Sequence, residues 1–228
     1  MSRRLLSIVS LWAALIMCAG CAAADRVTVN PQNLVYLPLD LEVELALAAG
    51  PEHIRSEATV YIFNKHGYER VHSGTNGMTC LVNRDGHQKG GREFRPTCWD
   101  AEGSATIVPV MLRVGELIAQ GSTAKEIEDD IDLGFESGRY KSPRKAGIAY
   151  MLKGDVTFDD KTQKISETVF PSHYMIYAPG VSNADIGMTE EAFKDNSSLP
   201  VIYDGYSGGS RMAYIIIMAS DNAAHTHQ

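Results

Sequence analysis

The segment TCWDAEG, Thr97–Gly103, sets a cysteine, an aspartate and a glutamate within five positions, just ahead of an apolar stretch. Asp100 and Glu102, joined by His173 from PSHYMIY, are the residue types that hold a divalent metal with open coordination positions. They could equally divide the acid and base roles of a hydrolase or lyase. Asp185, in the loop YAPGVSNADIG, is the fourth candidate, beside Ser182 and Asn183. Each also has a structural reading. Asp100 suits the N-cap of a following helix, His173 a hydrogen-bonded strand position, and Ser182, Asn183 and Asp185 ordinary turn chemistry. No cofactor is predicted by motif, and a divalent metal stays open at the carboxylate–histidine set. G-x-S-x-G, H-E-x-x-H, the Walker A loop and the Rossmann fingerprint are absent from the sequence. SGGS, Ser207–Ser210, lacks a nucleophile elbow's strand-to-helix context, and GTNG, Gly74–Gly77, precedes a strand rather than a helix. His225 and His227 form a terminal H-x-H.

Cys98 has three readings: half of a disulfide with Cys80, a metal ligand, or a nucleophile. A reactive thiol needs a positive neighbourhood, whereas Asp100 and Glu102 would raise its pKa. Once a leader is removed, Cys80 and Cys98 are the two cysteines left, which in an exported chain reads as one disulfide. The intervening LVNRDGHQKGGREFRPT, rich in Gly and charge, reads as a mobile hairpin loop.

The leader itself is MSRRLLSIVSLWAALIMCAGCAAAD, with charged, apolar and small-residue regions in the order of a secretory signal peptide. Ala22–Ala24 fits cleavage after residue 24. CAGC, Cys18–Cys21, also resembles a lipobox ending at Cys21, although Cys18 stands where Leu is usual. The two readings, simple cleavage or lipidation of Cys21, stay open. The expected organisation is a signal peptide over 1–24 and a single α+β domain over 25–228, with no membrane span after cleavage. Acidic residues number 28 against 21 basic ones, two of which lie in the leader. Such a balance argues against nucleic acid and anionic lipid surfaces as partners. The hydrophobic fraction of 44% suffices for one core.

These candidates need elements to position them. VNPQNLVYLPLD is an extended entry, and a helix from about Asp40 ends at Gly50–Pro51. ATVYIFNKHGYERVHSGTNGMTCLVNR alternates apolar and polar residues, predicting a meander of roughly three strands. From Ser104 the apolar residues recur at three and four, predicting one helix to Gly121 with Pro109 in its first turns. Thr123 and Glu126 form a capping box for a second helix that ends at Gly138, the pair making a central αα-hairpin. Strands return in GIAYML, KISETVF, HYMIYAPG, LPVIYDG and RMAYIIIMAS. The fold class expected is α+β, a mainly antiparallel sheet around that hairpin with one disulfide.

The segments GTNGMTCLV, TCWDAEGSATIVPV, GIAYML and YAPGVSNADIG resemble a family of uncharacterised secreted bacterial proteins. The resemblance implies export and a single domain, and supplies no activity. The functional expectation is an exported protein, periplasmic, secreted or lipid-anchored, that binds an unidentified protein or small molecule without catalysis. The alternative is a secreted metal-assisted hydrolase or lyase using Asp100, Glu102, His173 and Asp185.

Overall fold

The computed structural model describes residues 34–167 and 170–219. The leader with Cys18 and Cys21, and the terminal His225 and His227, lie outside the described residues. Helix α1 (Leu39–Ala48) and the single turn α2 (Glu52–Arg55) follow the extended entry, separated where Gly50 and Pro51 interrupt the helix. Strands β1 (Thr59–Asn64), β2 (Gly67–His72), β3 (Thr79–Asn83) and β4 (Arg95–Trp99) come next. Helices α3 (Ala101–Thr106), α4 (Val108–Ala119) and α5 (Ala124–Glu136) precede β5 (Ile148–Met151), β6 (Val156–Asp159), β7 (Lys164–Glu167) and β8 (His173–Tyr177). The short helix α6 (Glu190–Asp195), β9 (Val201–Tyr203) and β10 (Tyr214–Met218) complete the order.

The strands form an eight-stranded sheet, β2-β1-β3-β4-β5-β8-β10-β9, with β6 and β7 paired as a separate ribbon. The sheet is antiparallel except where β1 meets β3. This corrects the meander expectation: β3 lies beside β1, not beside β2. Burial supplies the reason. All five residues of β3 are buried, whereas β2 beyond Gly67 is mostly exposed. The apolar strand takes the covered position and the polar one the edge. The GTNG loop makes the crossing, with Thr75 N and Asn76 N both donating to Glu57 O at 2.9 and 3.2 Å.

Side chains alternate across the sheet. Cys80, Val82 and Cys98 face a core under α1, and Leu81 and Trp99 face a larger core under α4 and α5. Cys80 and Cys98 are directly opposite each other on β3 and β4 and are joined as a disulfide, as their pairing in an exported chain predicts. Closing that loop contributes about 3 kcal/mol on the chain-entropy model. Ala46 of α1 and Ala49 just past its end belong to the same buried cluster as the two cysteines. A Cβ on Gly50 would stand 3.1 Å from Cys98 Sγ. On the opposite face the indole N–H of Trp99 donates to Tyr214 Oη at 3.1 Å.

Two helical details follow from local chemistry. The predicted capping box is present, Thr123 and Glu126 bonding each other's backbone N–H. The single helix from Ser104, however, starts earlier, at Ala101, and breaks at Ile107. The earlier start puts Pro109 past the first turn of a continuous helix, where its missing N–H and its ring would disrupt the ladder. In the broken arrangement Pro109 lies in the first turn of α4, where both are tolerated. Arg113 of α4 and Asp130 of α5 then bridge the two helices at 2.9 Å. No described helix is long and apolar enough to cross a membrane.

Candidate functional site

The structure does not bring the four sequence candidates together. Asp100 caps α3, accepting from Gly103 N at 3.0 Å through Oδ1 and from Ile148 N at 2.8 Å through Oδ2. Tyr177 Oη lies 2.8 Å from the same Oδ1, and burial pushes this phenol's pKa up, the neighbouring Asp100 adding to the effect. Both carboxylate oxygens are therefore engaged. The node is also closed. A Cβ on Gly103 would fall 2.2 Å from Tyr177 Oη, and one on Gly147 would fall 2.4 Å from Asp100 Oδ2. Glu102 lies outward on α3, where its Oε1 accepts from Arg144 N at 2.7 Å.

His173 is at the far end of β8 from Tyr177. Four strand residues put roughly 13 Å between their Cα atoms. His173 is buried and its Nδ1 lies 2.8 Å from Pro171 O. Burial lowers its pKa, keeping the ring neutral. Asp185 is exposed, and its Oδ2 accepts from Ser182 N at 2.8 Å and Ser182 Oγ at 2.7 Å, which depresses its pKa. Asn183 spans to β9, where its Oδ1 accepts from Ile202 N at 2.7 Å. The YAPGVSNADIG loop is thus held by its own polar side chains. Among the described residues no group of three or more His, Cys, Asp or Glu is placed to hold a metal ion.

One of the four, His173, does line a cavity, with partners that sequence reading missed. β4 begins with Arg95, β8 begins with His173, and β5 ends at Met151, so antiparallel pairing puts the three at the same end of the central strands. The connection into β6 delivers Asp155, and the turn after β9 delivers Tyr206, with Tyr203 ahead of it. These residues surround a volume of ≈ 90 Å³, closed on its apolar side by Met151, Phe170 and Ile216. Tyr203 and Tyr206 meet edge to face at 5.0 Å. Burial raises the pKa of both phenols, keeping them protonated.

Asp155 sets the electrostatics. It is 8% exposed. Its Oδ2 lies 3.6 Å from Arg95 Nε, and its Oδ1 is buried without a hydrogen-bond partner among the described residues. Burial pushes its pKa up to about 6, Arg95 opposing and Glu93 adding. Arg95 is held in turn by Asp85, whose backbone oxygen accepts from Nη1 at 2.9 Å. The Asp85 carboxylate accepts from Ser207 N at 2.7 Å, Ser207 Oγ at 3.0 Å and Gln88 Nε2 at 2.8 Å. Arg84, Asp85 and Gln88 are each at most 2% exposed. The segment expected to be a mobile loop is therefore a buried polar junction, because its charges find partners distant in sequence. A buried carboxylate with a raised pKa beside a cavity makes this the candidate site.

Comparison of the chain with protein-family models, curated proteins and solved structures yields no match.

Proposed function

We propose that the protein is an exported, non-catalytic binding protein whose ligand site is the Asp155–His173 cavity. Export is supported by the leader, by the likeness to uncharacterised secreted bacterial proteins, and by a disulfide that suits an oxidising compartment. The mature chain is then free in the periplasm or outside the cell, or tethered through a lipid on Cys21.

The observation that carries binding is the desolvated Asp155 carboxyl in the cavity wall, one oxygen 3.6 Å from Arg95 Nε and the other buried without a partner among the described residues. A buried carboxylate left incompletely paired costs the fold stability, and the cavity beside it gives a ligand room. Tyr203, Tyr206 and His173, all neutral, give the cavity hydrogen-bonding capacity without further charge. The metal-assisted hydrolase or lyase reading has no comparable observation in its favour, since Asp100 is spent on a helix cap, Glu102 on the Arg144 backbone and Asp185 on its own turn, and no described group of these residues is placed to hold a metal.

The test is the native mass of the protein purified from a Gram-negative exporting host, compared with its denatured mass. The expected result is a chain lacking residues 1–24, or beginning at a lipidated Cys21, that retains a small organic molecule. Asp155→Leu should lose that molecule, and Asp185→Ala should keep it. A bare polypeptide, or a metal that a chelator strips and that Asp155→Leu retains, overturns the reading.

A further inference from the structure

A groove that shares no residue with the Asp155–His173 cavity runs between α1 and the edge hairpin of β1 and β2, with a volume of ≈ 520 Å³. Leu39, Val43 and Leu47 line it at four-residue spacing, which puts them on one stripe of α1 about 12 Å long. Val60 and Val71 complete the apolar lining. Leu39 is 54% exposed and Val71 43%, so both walls are open to solvent. Five polar residues share the groove. Asp40 and Glu44 lie along the first half of α1 and are exposed, so water solvates their charge. Arg55, Ser56 and His72 gather at the other end. Arg55 is held there by its Nε, which donates to Gly50 O at 3.0 Å, while its two Nη groups have no partner among the described residues. The Ser56 hydroxyl is a second donor. His72 gives Nδ1–H to Ala58 O at 2.8 Å, and its Nε2 accepts while the ring is neutral and donates once it is protonated.

Strand addition and self-association fit this groove poorly. A register shift between Val60 and Tyr61 leaves Val71 outside the β1–β2 ladder, and such a bulge blunts an edge strand as a template for another. A second copy would bring its own Asp40 and Glu44 to a chain that already carries 28 acidic residues against 21 basic ones. An apolar groove with a held, unpaired cation at one end is complementary to a single chain that is apolar along its length and anionic at its tip. Size agrees. The volume falls within the ~300–1,000 Å³ of ordinary ligand pockets, and the stripe matches an extended chain of about ten carbons.

We propose that the groove is a second binding site, for a linear fatty carboxylate. Its head accepts from the Arg55 Nη groups and the Ser56 hydroxyl, and its chain lies along Leu47, Val43 and Leu39.

The test is calorimetric titration of the exported protein at pH 7.5 with decanoate, octanoate, decan-1-ol and decylammonium, each below its micelle concentration. Decanoate should bind saturably, and octanoate about fivefold or more weakly, since two methylenes are no longer buried. Val71→Asp, which sets a charge in the exposed wall, should weaken every probe about tenfold. Arg55→Gln should weaken decanoate about fivefold and leave decan-1-ol unchanged, while Arg55→Lys restores part of the loss. Asp185→Ala should bind decanoate as the parent does. Near-UV circular dichroism checks that the variants fold, and Arg55→Lys with the decan-1-ol comparison serves if Arg55→Gln does not. Decylammonium or decan-1-ol binding as tightly as decanoate overturns the carboxylate head. No saturable binding, an affinity independent of chain length, or a dimer that Val71→Asp dissociates overturns the acyl site itself.

Discussion

Two carboxylate–arginine pairs, one fully buried and one partly buried, lie on neighbouring parts of this fold, and they are built differently. Glu42 and Arg84 are each 1% exposed and meet in a two-point contact of 2.7 and 3.0 Å. Phe63 N donates to the same carboxylate at 2.9 Å, and the guanidinium lies 4.4 Å from the Phe63 ring centre and 5.1 Å from that of Phe94. Asp155 and Arg95 meet once, at 3.6 Å, with one carboxylate oxygen left over and a cavity beside it. The first pair fastens α1 to the end of β3. Each pair leaves one buried polar atom without a partner among the described residues, Arg84 Nε in the first and Asp155 Oδ1 in the second, but only the second is also held by a single long contact beside a cavity.

The largest effect should come from breaking the fully buried Glu42–Arg84 pair. Glu42→Ala leaves the Arg84 charge buried alone and should cost about 3–5 kcal/mol in urea unfolding. Replacing both partners, as Glu42→Leu with Arg84→Met, should recover most of that loss. If Glu42→Ala cost no more than a typical surface change, the contrast between the pairs would collapse.

A smaller and pH-dependent effect is expected at the Asp155–Arg95 pair. Asp155 titrates near 6 in the fold against an ordinary value of 3.8. Its contribution to stability is therefore full below about pH 4 and lost as pH rises through 6. Asp155→Asn should consequently be more stable than the parent by about 2 kcal/mol at pH 7.5, with the difference vanishing near pH 4. His87 works in the other direction. Burial lowers its pKa from 6.5 to about 4, so its contribution is full above 6.5 and lost as pH falls toward 4. The two slopes oppose each other in the parent, and removing Asp155 exposes the His87 slope. A pH-independent difference between Asp155→Asn and the parent would show that the carboxyl is not desolvated as described.

The smallest effect is predicted for Asp185→Ala. Its carboxylate is exposed and bonds within its own turn, so the loss should stay within about 0.5 kcal/mol. A larger loss would give that loop a role the two carboxylate–arginine pairs do not share.

What the sequence disclosed tracks how local each interaction is. The Thr123–Glu126 box, the Asp100 cap and the cross-strand cysteine pair are each set by neighbours within a turn or a single hairpin, and all three could be read directly. The RDGHQKGG segment misled because glycine and charge predict exposure. Its burial depends on Glu42, drawn from α1 42 positions away, and on Ser207, 122 positions from Asp85. Arg95, Asp155, Tyr203 and Tyr206 carry no mutual spacing at all. The signal in the sequence for part of this cavity is His173 at the start of an apolar strand, and no spacing links it to Asp155. The β1–β3 parallel pair escaped for a similar reason, since alternation marks a strand but not its neighbour.

The hydrogen bond from Trp99 to Tyr214 gives the processed chain an optical property. The sequence holds two tryptophans, Trp12 in the leader and Trp99 in the core, so a chain cleaved after residue 24 carries a single indole chromophore. That indole touches Tyr214, which meets Tyr206 edge to face at 5.7 Å, and Tyr206 borders the cavity. In such a chain, emission from one unlabelled fluorophore therefore reports on the intact core around Trp99 and Tyr214.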